Sequence, residues 1–222
     1  MARDPTFVRA SPQAAAQGLG PGVIDLWRVP YALSQGRTPL LALLAGYLGI
    51  PIPAVILDQN IRGKPHLATS VLGQGNPHRF DFNWSHSGDF ALIAISRDNA
   101  VGVDIERYGK NLRALEIAQR FFAPSEAEVL ASLLPDVRER AFIGLWCAKE
   151  AVLKAAGEGL SFGLKRLVFA HRHAAEWTLA SMDPALGEAA AWQLVTFDAA
   201  PGFRGSLAWC GAACEIRPLR PD

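Results

Sequence analysis

The sequence reads as a mixed chain of strands and helices in which the order strand–helix–strands occurs twice. This predicts two similar halves, residues 1–104 and 105–222, meeting near residue 105. Three observations carry that reading. Residues 90–106 alternate and run apolar like paired strands. Residues 139–156 repeat apolar side chains at helical spacing. Half of the 222 residues are hydrophobic and 19% are charged, enough apolar material for a substantial core.

Taken in order, residues 1–22 are rich in Ala, Pro, Gly and Gln without a clear period and read as a loosely ordered arm. Val23 to Val29 reads as a strand. Thr38 to Leu48 reads as a short buried helix, with Thr38 as N-cap, Pro39 at its first position and Gly49 at its end. Residues 54–82 read as irregular strands, with turns at Arg62-Gly63 and at Gly73 to Pro77. Phe90 to Ser96 and Val101 to Glu106 read as two strands of one hairpin, joined by the polar turn Arg97 to Ala100. Helices are expected near 112–121 and 125–134, and a longer one from Glu139 to Ala156 that stops at Gly157. Residues 160–217 return to short strands, interrupted at Pro184 and at Pro201-Gly202.

Composition narrows the function classes. The net charge of +1 gives no global attraction to nucleic acid or to a membrane surface. The longest apolar run, Leu40 to Ile50, is too short to span a bilayer. Cys147, Cys210 and Cys214 have neither a disulfide framework nor zinc spacing. An odd cysteine count fits a reducing compartment, and the first residues lack the layout of a signal peptide. The expectation is a soluble cytoplasmic protein.

The first chemical feature is GVDIE at 102–106. Side chains alternate along a strand, so Asp104 and Glu106 share one face and Val103 and Ile105 the other. Two like charges side by side are unfavourable unless a cation neutralises them. A hard divalent cation such as magnesium suits oxygen ligands and a phosphate substrate. An exposed strand end with two solvated acids explains the same spacing.

The second feature lies in the helix over 139–156, where Phe142, Leu145, Trp146, Val152, Leu153 and Ala156 form an apolar stripe. Lys149 and Glu150 fall within it, and a charged pair there is costly unless paired or bound. Lys154 lies one turn beyond Glu150 and can touch it. Glu150 would add a third carboxylate to the acid pair, and Lys149 and Lys154 would meet phosphate oxygens. The plainer alternative is that Lys149 snorkels outward and Glu150–Lys154 is a surface pair.

The third feature is FNWSHSGD at 82–89, with Ser85, His86 and Ser87 just before the expected hairpin. These groups can hydrogen-bond a phosphate or nucleotide. Neighbours on a strand point to opposite faces, so Ser85 and His86 do not form a nucleophile–base pair. A polar loop with a satisfied histidine is the alternative. Lys64, in the turn RGKPHL, says little alone.

Together, NWSHSGD, VGVDIE and WCAKEAVLKAAGEGL, in this order, resemble the motifs of 4'-phosphopantetheinyl transferases, with GKP at 63–65 and YLGI at 47–50 in keeping. The similarity covers roughly residues 40–170, and is greatest to the larger, pseudo-dimeric type that activates peptide and polyketide synthases. The resemblance implies an α+β fold of two similar halves in one chain, with coenzyme A bound between them. It implies that Asp104, Glu106 and Glu150 hold Mg2+ against the pyrophosphate. Glu150, or a water it holds, would act as base, and Lys149 and Lys154 would contact phosphates. Lys64, Ser85 and His86 would sit at the adenosine 3'-phosphate or the pyrophosphate. The implied acceptor is a serine of an acyl or peptidyl carrier protein, which would dock on 111–135 through Phe121, Phe122 and Leu130, unless these are core. The pseudo-dimer implies a monomer, and neither nucleic acid nor membrane is an expected partner.

One region departs from the family pattern. The segment between the WRV strand and the YLG helix is short, and Arg37 is its one basic residue after Arg28. A coenzyme A-binding module without transfer activity, or a magnesium-dependent phosphohydrolase, would carry many of the same residues.

Overall fold

The computed structural model describes residues 4–72, 80–109, 113–173 and 176–222. The turn expected at Gly73 to Pro77 lies outside the described residues. The first part of the chain contains β1 (Val8–Arg9), α1 (Pro12–Gln17), β2 (Val23–Pro30), α2 (Thr38–Leu48), β3 (Leu57–Gln59), β4 (Pro65–Leu67), α3 (Thr69–Leu72), β5 (Phe80–Ser87) and β6 (Phe90–Arg97). There follow β7 (Val101–Arg107), α4 (Ala114–Phe121), α5 (Pro124–Ser132), α6 (Pro135–Ala156), β8 (Leu167–His173), β9 (Glu176–Met182), β10 (Trp192–Ala200), β11 (Phe203–Cys210) and β12 (Glu215–Arg220).

These elements stack in layers. A five-stranded sheet has the order β1-β12-β2-β6-β5, and a three-stranded sheet the order β10-β11-β7. One face of the larger sheet packs Trp27, Val29, Ile93 and Ile95 against α1 and α2. Its other face packs Ile24, Leu26, Leu92 and Ala94 against Val101, Val103, Ile105 and Leu207 of the smaller sheet. The far side of the smaller sheet carries α6, which is also packed against α4, α5 and β8. Because β6 is covered on both faces, it reads as a continuous apolar run rather than an alternation.

The hairpin expected over 90–106 is not formed, although both strands are. Both edges of β6 are already taken, by β2 and by β5. The chain turns at Asp98, whose φ is 71°, and β7 leaves the sheet to pair with β11 instead. The loose arm expected over 1–22 is, over its described residues 4–22, packed into the fold. Ser11 caps α1, and β1 pairs in parallel with β12 from the far end of the chain, a partner that local sequence does not reveal. The helix over 38–48 has the expected bounds, but its cap is Arg37, whose carbonyl accepts the first helical bond from Leu41 N–H. Gly49 (φ 66°) and Gly157 (φ 75°) end their helices in the left-handed conformation. Helix α6 begins at Pro135, four residues before the expected start.

Two features set the geometry of the site. Strand β12 runs parallel to β2 within the larger sheet, so residues after 105 complete the sheet built mainly by residues before it. Arg217 of β12 pairs bidentately with the fully buried Asp25 of β2, which also accepts from Tyr47 Oη of α2 at 2.5 Å. The second feature is Gly102 on β7. A Cβ there would lie 2.1 Å from the carbonyl oxygen of Ala151 and 2.3 Å from the amide nitrogen of Ala155, so only glycine lets α6 rest on this strand.

Gly102→Ala is expected to lower stability by about 2 kcal/mol, through forced separation of α6 from β7. Gly20→Ala, where a Cβ meets nothing within 4 Å, should stay within about 0.5 kcal/mol of the parent. Thermal melts of the two variants check this.

Candidate active site

The site forms where β5 meets β7. The two strands run side by side without a backbone ladder, because β5 offers side chains instead. Asp81 Oδ2 accepts from Val101 N–H at 2.8 Å, Asn83 Oδ1 from Val103 N–H at 2.9 Å, and Ser87 Oγ from Arg107 N–H at 3.2 Å. Each partner lies 20 residues further along, so the strands are parallel and in constant register. Three amides of the outer edge of β7 are thereby satisfied by side chains at a polar joint.

The same strand reaches the acid pair. Ser85 Oγ donates to Asp104 Oδ1 at 2.7 Å, and Ser87 Oγ donates to Glu106 Oε2 at 2.8 Å. Lys154 of α6 closes the group, with Nζ 2.6 Å from Asp104 Oδ1 and 3.1 Å from Ser85 Oγ. Burial lowers the Lys154 pKa, but the Asp104 and Glu150 carboxylates outweigh it and the net shift is upward. Glu150, one turn earlier on α6, has its pKa pushed up to about 7, first by burial and then by the Asp104 charge, with Lys154 opposing. Beneath the pair, burial and the two acids push the Cys147 thiol well above its usual range, leaving it an inert neutral group.

Three buried carboxylate oxygens accept no hydrogen bond among the described residues, Asp104 Oδ2, Glu150 Oε1 and Glu158 Oε2, of which the last stands 3.2 Å from Arg62. Buried acid oxygens without a donor are costly, and they suit a hard cation with oxygen ligands. Among the described residues, no three acid, imidazole or thiol groups are gathered into a finished metal cluster. The open side of the site is a cleft of about 210 Å³ lined by Arg62, Lys64, Trp84, Glu150, Lys154 and Glu158. Lys64 reaches it from β3–β4, with Nζ 2.8 Å from Asp81 and 3.2 Å from the Val101 carbonyl.

A family model described as "4'-phosphopantetheinyl transferase superfamily" matches residues 100–208, and one described as "4'-phosphopantetheinyl transferase, N-terminal" matches residues 32–98. The chain belongs to the 4'-phosphopantetheinyl transferase superfamily. It is similar to the 4'-phosphopantetheinyl transferase HetI of Nostoc sp., with 37% identity over 128 residues, covering 58% of this chain and 52% of that protein. The L-aminoadipate-semialdehyde dehydrogenase-phosphopantetheinyl transferase of Mus musculus is 35% identical over 145 residues, 62% of this chain and 46% of that protein. The 4'-phosphopantetheinyl transferase psf-1 of Bacillus pumilus is 37% identical over 142 residues, covering 62% and 57%. The matched stretch thus spans about half the length of these curated relatives.

The structure brings together Asp104, Ser85 and Lys154, holds Glu106 two residues further along β7 on Ser87, and lines one cleft with Lys154, Glu150 and Lys64. His86 points the other way. It is exposed and stacked on Tyr31, with centroids 4.4 Å apart.

Lys149 is a correction. It is fully buried, 2.9 Å from Glu126, and donates to the carbonyls of Leu164 and Leu167. Adjacent helix residues lie about 100° apart. Turning Glu150 to the cleft therefore turns Lys149 toward α5 and β8, where it pairs internally and meets no phosphate. Burial lowers its pKa to about 8, and Glu126 opposes the shift. Of the expected docking residues, Phe122 and Leu130 are core and Phe121 is exposed. Sequence reasoning missed Asp81 and Asn83, although the strict alternation in FDFNWSHS displayed them on one face with Ser85 and Ser87.

Two predictions follow from these environments. Lys149→Met should lower stability by about 3–5 kcal/mol, because Glu126 is left charged and buried, and a denaturant titration measures this. Glu150 has a raised pKa in the folded state, so the folded protein binds more protons than the unfolded chain between the ordinary carboxyl range and pH 7. Its contribution is present at low pH and lost as pH rises through about 7. Glu150→Gln should therefore stabilise the metal-free protein at pH 8 and leave it nearly unchanged at pH 4.

Proposed function

We propose that the chain transfers the 4'-phosphopantetheine arm of coenzyme A to a serine of an apo acyl or peptidyl carrier protein, releasing adenosine 3',5'-bisphosphate. The observation that supports this most directly is the contact between Asp104 and Lys154, with Lys154 and Glu150 lining one cleft, in a chain of this family. In this reading Asp104, Glu106 and Glu150 hold Mg2+, the buried unpartnered oxygens of Asp104 and Glu150 being its natural donors. When bound, the ion supplies positive charge against the pyrophosphate.

The chain's own residues supply the rest. Lys154 holds a phosphate oxygen, and Lys64, with Ser85, orients the nucleotide end, while His86, turned away and stacked on Tyr31, takes no part. Glu150, directly or through a water, takes the proton of the carrier serine as its oxygen attacks the phosphorus bearing the pantetheine arm. The bond from that phosphorus to the bridging oxygen breaks, and the nucleotide leaves. Positioning and charge stabilisation provide most of the acceleration. The two halves, 1–104 and 105–222, act as a pseudo-dimer closing on coenzyme A, which makes a monomer the working unit, in the cytoplasm. No helix among the described residues is long and apolar enough to cross a membrane.

The test is incubation with coenzyme A, Mg2+ and several apo carrier proteins, followed by intact mass measurement. A carrier heavier by one phosphopantetheine, with the gain abolished by chelation, is the expected result. Asp104→Asn and Glu150→Gln should lower the rate by about two orders of magnitude or more. Full activity in either variant would remove the metal assignment, and coenzyme A binding without product would favour an inactive binding module.

A further inference from the structure

We propose that Ser87 is a positioning residue that fixes the Glu106 carboxylate for the divalent cation; the inference rests on the metal reading above. Ser85 and Ser87 stand two residues apart on β5, and Asp104 and Glu106 stand two apart on β7. Because the strands are parallel, each acid meets one serine. The two serines are not equivalent. Ser85 Oγ also receives a hydrogen bond, at 3.1 Å, from Nζ of Lys154, which lines the cleft. Ser87 is 5% exposed, and its hydroxyl is engaged on both sides: it donates to Glu106 Oε2 and accepts from Arg107 N–H. It is therefore not available to a ligand phosphate.

Glu106 needs such an anchor more than Asp104 does. It has one more rotatable bond, it is half-buried near the end of β7, and a free glutamate loses considerable rotamer entropy on being fixed. Partners outside the ligand shell that orient a ligating carboxylate commonly change metal affinity 10–100-fold.

The experiment titrates Mn2+ into the full chain with saturating coenzyme A, followed by electron paramagnetic resonance of the free ion. Ser87→Ala should weaken Mn2+ about 10-fold, while coenzyme A affinity without metal stays within twofold. In a Glu106→Gln background, Ser87→Ala should add no further loss, since the hydroxyl acts through that carboxylate. Asn83→Ala removes the equivalent support from Val103 N–H. It should lower the melting temperature and leave Mn2+ affinity within twofold. Unchanged Mn2+ affinity in Ser87→Ala overturns the inference. So does an equal loss in Asn83→Ala, or an undiminished loss in the Glu106→Gln background. No Mn2+ binding by the parent chain overturns the metal reading itself, and this inference with it.

Discussion

The joint between β5 and β7 is the constraint on which the site depends. A backbone ladder would have merged the two sheets and consumed the outer edge of β7 in strand pairing. Polar side chains from β5 satisfy that edge instead; one of them, Ser87, also holds Glu106, and its neighbour Ser85 holds Asp104. The arrangement keeps two layers distinct while placing groups from both within hydrogen-bond reach of one another. The cleft is therefore a product of how the sheets are joined, and the joint's polarity follows from the need to pair the edge amides of β7.

Helix α6 brings the other half of the chemistry, and its placement follows from a missing side chain. Gly102 lets the helix lie directly on β7, which carries Glu150 and Lys154 to Asp104. On the opposite side of the helix, Lys149 and Glu126 form a dry ion pair, with Glu126 also accepting from Ala123 N–H and Phe169 N–H. Taking two charges out of water gives little net stability, but such a pair tolerates few alternatives in geometry. It fixes the rotation of α6 about its axis, and that rotation aims Glu150 at the cleft.

Much of this was legible in local sequence. Period-two alternation put Asp104 and Glu106 on one face, and helical spacing put Glu150 and Lys154 on one side of a helix ending at Gly157. The turn glycines and Pro39 marked α2 to within a residue at its start. What local pattern could not show was who pairs with whom. Residues 90–106 have hairpin spacing, but the edges of β6 were claimed by strands elsewhere in the chain. Lys149 beside Glu150 signalled a charge needing a partner, and the partner, Glu126, was 23 residues away in another helix, beyond the reach of local spacing. The arm over 1–22 looked unstructured because the strand that orders it lies near residue 219.

That last pairing bears on how the chain matures during synthesis. Strand β12 lies between β1 and β2 in the larger sheet, and Arg217 supplies the counter-charge to the buried Asp25. While residues 215–220 are still inside the ribosome, the early half holds an open sheet edge and a carboxylate without its cation. Many chains fold their leading portion as it emerges. Here that portion must wait for β12, so both layers, and the cleft between them, are completed together only once residues 215–220 have emerged.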